Sequence, residues 1–172
     1  AAPSAWVDTA GAPLGAIETW PSDVAGEGAQ GTSGVVAAVA AGNGTIGYAD
    51  ASRAGDLGTV AVGVGTSFVP FSPEAAAKIV DVSDLVEGRP DTSLAYELRR
   101  DTTESGVYPV VLVSYLQGCM DYVDDAQAEL VKAYAGFIIS AEGQQVASAA
   151  AGSAPISDSL RQKAQAILDA VK

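Results

Sequence analysis

Histidine is absent from the 172 residues, and cysteine occurs once, at Cys119. The first absence removes the commonest general base, the commonest metal ligand and every Ser–His or Cys–His couple. The second excludes an internal disulfide and any multi-cysteine metal site. No metal, cofactor or catalytic group is therefore expected. No apolar run approaches the roughly 20 residues needed to span a bilayer. The opening stretch, AAPSAWVDTAGAPLG, has neither basic residues nor an apolar centre. It is not read as a signal peptide, and without an initiating methionine the chain reads as mature, truncated or excised. Basic residues are scarce too: 9 against 21 acids, a net charge of -12. Such a field repels nucleic acid and anionic lipid at long range, so neither is an expected partner. A small anion is not excluded, because backbone N–H groups can bind one locally.

What is present is apolar and small. The chain is 48% hydrophobic and 17% charged, the balance of a globular protein. Its length suits one domain or two small lobes. Residues 1–31 read as loop, broken by Pro3, Pro13 and Pro21. A short helix is expected next, capped by Thr32 or Ser33, with Val35, Val36 and Val39 on one face. Gly42-Asn43-Gly44 ends it. TIGYAD (45–50) and GTVAVGVG (58–65) read as strands, the second rich in β-branched valine. Ser72, Pro73 and Glu74 mark a helix start.

SLAYELRR (93–100) is a weak helix candidate. VYPVVLVSYL (107–116) has the near-continuous apolar character of a strand buried on both faces, with Pro109 near its start or on an edge. A helix capped by Asp124 or Asp125 is expected to run to about Ala150 and end at Gly152, with Gly143 as a weak point. Leu130, Tyr134, Phe137, Ile138 and Ala141 would form its inward face. A last helix starts at Ser157, with Asp158 in its first turn and Leu160, Ala164, Ile167 or Leu168, and Val171 as its apolar stripe. Short strands alternating with helices indicate an α/β class.

GEGAQGTSGVV (26–36) has the form of a phosphate cradle: a glycine loop leading into a helix. Gly31, Thr32, Ser33 and Gly34 are the candidate anion-binding residues. Their alternative is a flexible turn and an ordinary cap, and the GK[ST] ending of a P-loop is missing. The acidic clusters Asp121, Asp124, Asp125 and Asp81, Asp84 fit helix caps better than a carboxylate pair, and the EF-hand spacing is missing at DYVDDAQAE. Cys119 has no histidine to activate it. Trp6 and Trp20 are expected as core or lobe anchors, with ligand stacking as the alternative.

The closing stretch, ELVKAYAGFIISAEGQQVASAAAGSAPISDSLRQKAQAILDAVK, resembles the C-terminus of the substrate-binding proteins of phosphate ABC transporters, the PstS family. The features are SAEGQ, AAGSAP and ISDSLRQKA. Further back, ESGVYPVVLVSYL, GTIGYADAS, GAQGTSGVVAAVAAGNGTIGY and IETWPSD resemble that family's segments in the family's order.

The resemblance implies a type II periplasmic-binding-protein-like α/β fold: residues 1–107 as part of lobe two, and 108–172 as a crossover strand and C-terminal helices returning into lobe one. It implies inorganic phosphate as ligand, an ABC transporter permease as partner, an extracytoplasmic location, a lipid anchor through a further N-terminal segment, and no enzymatic role. The family's RSDGSGT-type loop does not occur in these residues, so its ligand positions cannot be transferred. The N-terminal half of the family's fold has no counterpart here. A companion chain carrying that half, self-association or a rearranged compact fold is therefore expected. The alternative function is a non-binding interaction or structural module derived from the same fold.

Overall fold

The computed structural model describes Trp20 and residues 25–172. Trp6, the proline-broken opening and the remainder of the IETWPSD segment lie outside the described residues. The chain divides into two compact units, Ala1–Gly55 and Asp56–Lys172.

In the first unit, helix α1 spans Gly31–Ala41 and a single 3-10 turn spans Ala51–Arg53. The N-cap of α1 is Gln30, whose side chain makes no capping bond, so neither Thr32 nor Ser33 caps the helix. Its start follows from backbone geometry: Gly31 takes φ +64°, which a glycine adopts without a Cβ penalty. The other end matches the reading, with Gly42 donating its N–H to the carbonyls of Ala38 and Val39. Residues 45–50 are not a strand. Thr45 turns its hydroxyl back onto the Val39 carbonyl, and Ile46 and Tyr48 are 77% and 78% exposed. No neighbouring chain among the described residues offers them a ladder.

In the second unit, β1 (Val62–Val64) and β2 (Ser67–Val69) form an antiparallel hairpin in the register Val62↔Val69. Its two-residue loop starts at Gly65 with φ +57°, the sign the tight hairpin turns require. The valine-rich run thus forms a strand over three of its eight residues. Helix α2 (Pro73–Asp81) begins as the sequence indicates. Ser72 accepts from the Ala75 N–H, Pro73 holds the first position and Glu74 lies in the first turn.

Strands β3 (Asp84–Leu85) and β4 (Tyr96–Glu97) make a second small antiparallel pair. β4 falls inside SLAYELRR, overturning the helix expected there. The aromatic Tyr96 and a partner edge outweigh weak local helix propensity.

The core sits where Val64 and Val69 of the hairpin meet Ala75 of α2, with Tyr108 packed against them. Phe71 and Tyr108 stack edge to face at 5.7 Å and 78°. Ile79 and Val107, each 1% exposed, are the most deeply buried side chains described. The Tyr108 N–H donates to the Ala75 carbonyl, so the chain enters 107–116 pinned to α2. Pro109 is buried, and from there the segment leaves the core. It joins no sheet, contrary to its reading as a strand buried on both faces. Leu112 is 96% exposed, and Val110, Tyr115 and Leu116 are exposed as well. A strand needs a neighbour, and no described residue supplies one.

The closing helices are three rather than two. α3 spans Asp125–Ile139, α4 Ala141–Ala151 and α5 Asp158–Asp169. Asp124 caps α3 through the Ala126 N–H, and Ser157 caps α5 through the Leu160 N–H, as expected. Gly152, in the left-handed region, ends α4. The helix expected to continue past a weak point at Gly143 breaks at Ser140 instead. Its backbone closes α3 by donating to the carbonyls of Gly136 and Phe137, while its hydroxyl caps α4 through the Gly143 N–H.

α3 packs against α4 and α5. The face it buries holds the alanines Ala128 and Ala135. Of the apolar stripe predicted to face inward, Leu130, Tyr134 and Phe137 are 70%, 64% and 50% exposed and Ala141 is exposed, while Ile138 is half-buried. Small side chains let helices approach closely, so the alanine face takes the intramolecular contact and the large residues are left outside. The chain end returns to this unit: Lys172 donates to the Met120 carbonyl, and the Tyr122 N–H donates to the Lys172 carbonyl.

Candidate functional site

The four candidate residues sit together in the first turn of α1. Gly31 and Ser33 are exposed, and Thr32 and Gly34 are half-buried. No acidic residue lies in that turn and no side chain caps it. A turn of N–H groups at the positive end of an 11-residue helix is electrostatically suited to an anion. The arrangement provides neutral donors and supplies no cation of its own. Nearby in the chain, Trp20 is half-exposed and its indole ring lies against Gly26, where a Cβ would approach to 3.1 Å.

Three of the four arginines of the second unit are already committed. Arg99 pairs with Asp84 at 2.8 Å, Arg161 pairs with Asp158, and Arg100 donates to the carbonyls of Pro109 and Val111. The acidic clusters serve the fold as well. Asp124 caps α3, and Asp81 accepts from the hydroxyl of Ser157, joining the end of α2 to the start of α5. Among the described residues no group of three His, Cys, Asp or Glu side chains converges as metal ligands would. Cys119 is exposed. No described helix is long and apolar enough to cross a membrane.

Among the described residues, three groups titrate away from their ordinary values. The hydroxyl and N–H of Ser52 hold the Asp50 carboxyl low, with burial opposing and Arg53 adding to the effect. Glu74 is lowered by its own backbone N–H and by Ser72. Burial, the Asp81 charge and then Tyr115 push Tyr96 up. All three reflect caps and packing rather than a reactive cluster.

One shallow pocket of about 290 Å³ lies between α4 and α5, with Gln144, Gln145, Ser148 and Ile156 on its walls and the Asp158–Arg161 pair at its edge. It explains the SAEGQ and AAGSAP motifs structurally. Ser140 is the shared cap of two helices. Gly143 is buried, and a Cβ there would collide with the Phe137 carbonyl. Gln144 spends its amide on the Ile138 carbonyl and its oxygen on the Ile156 N–H. The motif closes a helix break and ties down the exit loop. That role was not read from the sequence, although the spacing of Ser, Gly and Gln carried it.

A family model described as the PBP superfamily domain matches residues 6–142, most of the chain. The chain belongs to the PBP superfamily. No curated protein and no solved structure matches it. Membership suggests a substrate-binding role, and the helices and small antiparallel sheets fit a mixed α/β fold. For this PBP-superfamily chain, the match covers α1, both hairpins and α3 and reaches the first residues of α4.

Proposed function

We propose that the chain is part of the substrate-binding component of an ABC phosphate importer, working outside the cytoplasmic membrane and passing inorganic phosphate to a permease. The observation that carries this reading is the PBP-superfamily match over residues 6–142, with the ordered PstS-like motifs choosing phosphate within it. In this reading residues 1–107 contribute to lobe two, and 108–172 form the crossover and the helices of lobe one. Two lobes would close about a hinge on the anion, with phosphate favouring the closed state. The first turn of α1, Gly31 to Gly34, is the candidate donor set. Its lack of a cation means that specific binding needs donors from elsewhere in the fold. The role is binding rather than catalysis.

The test is a calorimetric titration with phosphate and with sulfate. The chain is measured alone, then mixed with the N-terminal half of a PstS-family protein. Alone, no specific binding is expected. In the mixture, phosphate should bind with a Kd of about 1 µM or tighter, near -8 kcal/mol, and sulfate should not bind. A mixture that forms a complex yet takes up no phosphate would refute the reading. Micromolar binding by the chain alone would assign the site to α1.

A second reading, a non-binding interaction module of the same fold, is favoured by one observation. Leu112, Leu130, Tyr134 and Phe137 are more exposed than water-facing leucines and aromatics need be.

A further inference from the structure

Residues 109–116 combine three features that do not occur together elsewhere in the second unit. They are strand-like in sequence: Val and Leu alternate with exposure, Val110 and Leu112 outward and Val111 and Val113 half-covered. They join no ladder. Yet they are fastened at both ends by side chains. The Arg100 guanidinium donates through Nη1 to the Pro109 carbonyl and through Nη2 to the Val111 carbonyl, both at 3.0 Å. At the far end the Tyr115 hydroxyl accepts the Tyr96 N–H at 3.1 Å. Both fasteners lead to one body: Tyr96 is in β4, and Arg100 follows four residues later, past the Arg99–Asp84 pair that ties this stretch to β3.

The geometry has a consequence. Carbonyls two residues apart lie on the same edge of an extended chain. A planar guanidinium spanning both occupies the acceptors that a neighbouring strand would use. We propose that residues 109–116 are a two-state strap: clasped by Arg100 and Tyr115 to the β3–β4 hairpin, or released as an extended strand with that edge free. Tyr108, held to Ala75, and buried Pro109 form the fixed end from which the strap swings. The exposed Val110, Leu112 and Leu116 gain nothing from the clasped state, so the side-chain bonds and the partial cover of Val111 and Val113 set the balance. What the motion serves rests on the proposed two-lobed reading, in which this segment is the crossover; the clasp itself does not.

Limited chymotrypsin digestion of the full chain tests it, because cleavage of a locally opening segment tracks the population of the open form. Arg100→Ala should raise the rate of cleavage at Leu112, Tyr115 and Leu116 roughly tenfold, as expected for the loss of bonds to a charged donor. Arg100→Lys, which reaches one carbonyl instead of two, should fall between. Tyr115→Phe, keeping the ring and losing the hydroxyl, should raise it too. Arg161→Ala, which breaks a surface pair in α5 away from the clasp, should leave strap cleavage at the wild-type rate. Unchanged strap cleavage in Arg100→Ala overturns the proposal. So does an increase shared equally by sites in α3 and α5, which would be general destabilisation. No phosphate is involved, so failure here and failure of the transport reading are separate results.

Discussion

At Gly143 a single missing methyl group decides how two helices meet. The residue is buried, and a Cβ built on it collides with the Phe137 carbonyl and comes within 2.9 Å of its carbon. These are backbone atoms, which cannot swing aside. Gly143→Ala is therefore expected to destabilise the protein by about 1–3 kcal/mol, the range for overpacking a filled site. A denaturation midpoint that stays put would show that the helix break relaxes freely.

Tyr96 supplies a second prediction of this size. Its phenol titrates above its ordinary 10.0 because burial opposes the phenolate, and Asp81 and Tyr115 add to that. A group with a raised folded value contributes stability that is complete below its unfolded value and disappears as pH rises through the folded one. The melting temperature should thus fall as pH passes 10.0 and beyond, and Tyr96→Phe should flatten that alkaline limb.

Elements in this chain are decided mainly by their ends. Helix α2 has every start signal on the page: Ser72 as cap, Pro73 at the first position and Glu74 in the first turn. Ser72→Ala removes the acceptor of the Ala75 N–H and should cost about 1 kcal/mol, measured by chemical denaturation. Glu74 and Ser72 act at the same place. The lowered Glu74 carboxyl means that this contribution is present above the unfolded value and is lost as pH falls through the folded one.

Helices were legible wherever a cap and an apolar or alanine run coincided, as at Ser72, Asp124 and Ser157. Strands were not, since a run such as 107–116 has strand composition but needs an edge that composition cannot supply. The same distinction explains SLAYELRR, where β3 provided the edge and local helix propensity lost. The candidate anion residues were placed correctly on one helix start. Their supposed cap was wrong, because Gly31 begins the helix by its backbone and leaves Thr32 and Ser33 inside it.

Across the second unit as a whole, the largest apolar side chains are not the ones buried. The core is made of valines, alanines and Ile79, while Leu112, Leu130, Tyr134 and Phe137 face outward. Protein concentration should therefore matter: sedimentation is expected to show association rising with concentration, along with binding of a hydrophobic dye. Leu112→Lys and Leu130→Lys should reduce both while shifting stability by no more than about 0.5 kcal/mol, as for exposed positions generally. A stable monomer of 17.2 kDa that binds no dye would count against any companion or self-association.

The sequence by itself determined the acidic charge, the absence of histidine chemistry, the positions of the main helix caps and the order of motifs that point to a binding-protein family. Each of these depends on residue identity or on neighbours a few positions away. Tertiary structure alone decided that the segment 107–116 stays unpaired, that Arg100 and Tyr115 hold it, and that α3 turns Ala128 and Ala135 inward and its large residues out. The physical reason is the same in each case. Strand pairing, side-chain clasps and the choice of a helix face are settled by what lies opposite in space, and no local pattern in the chain encodes it.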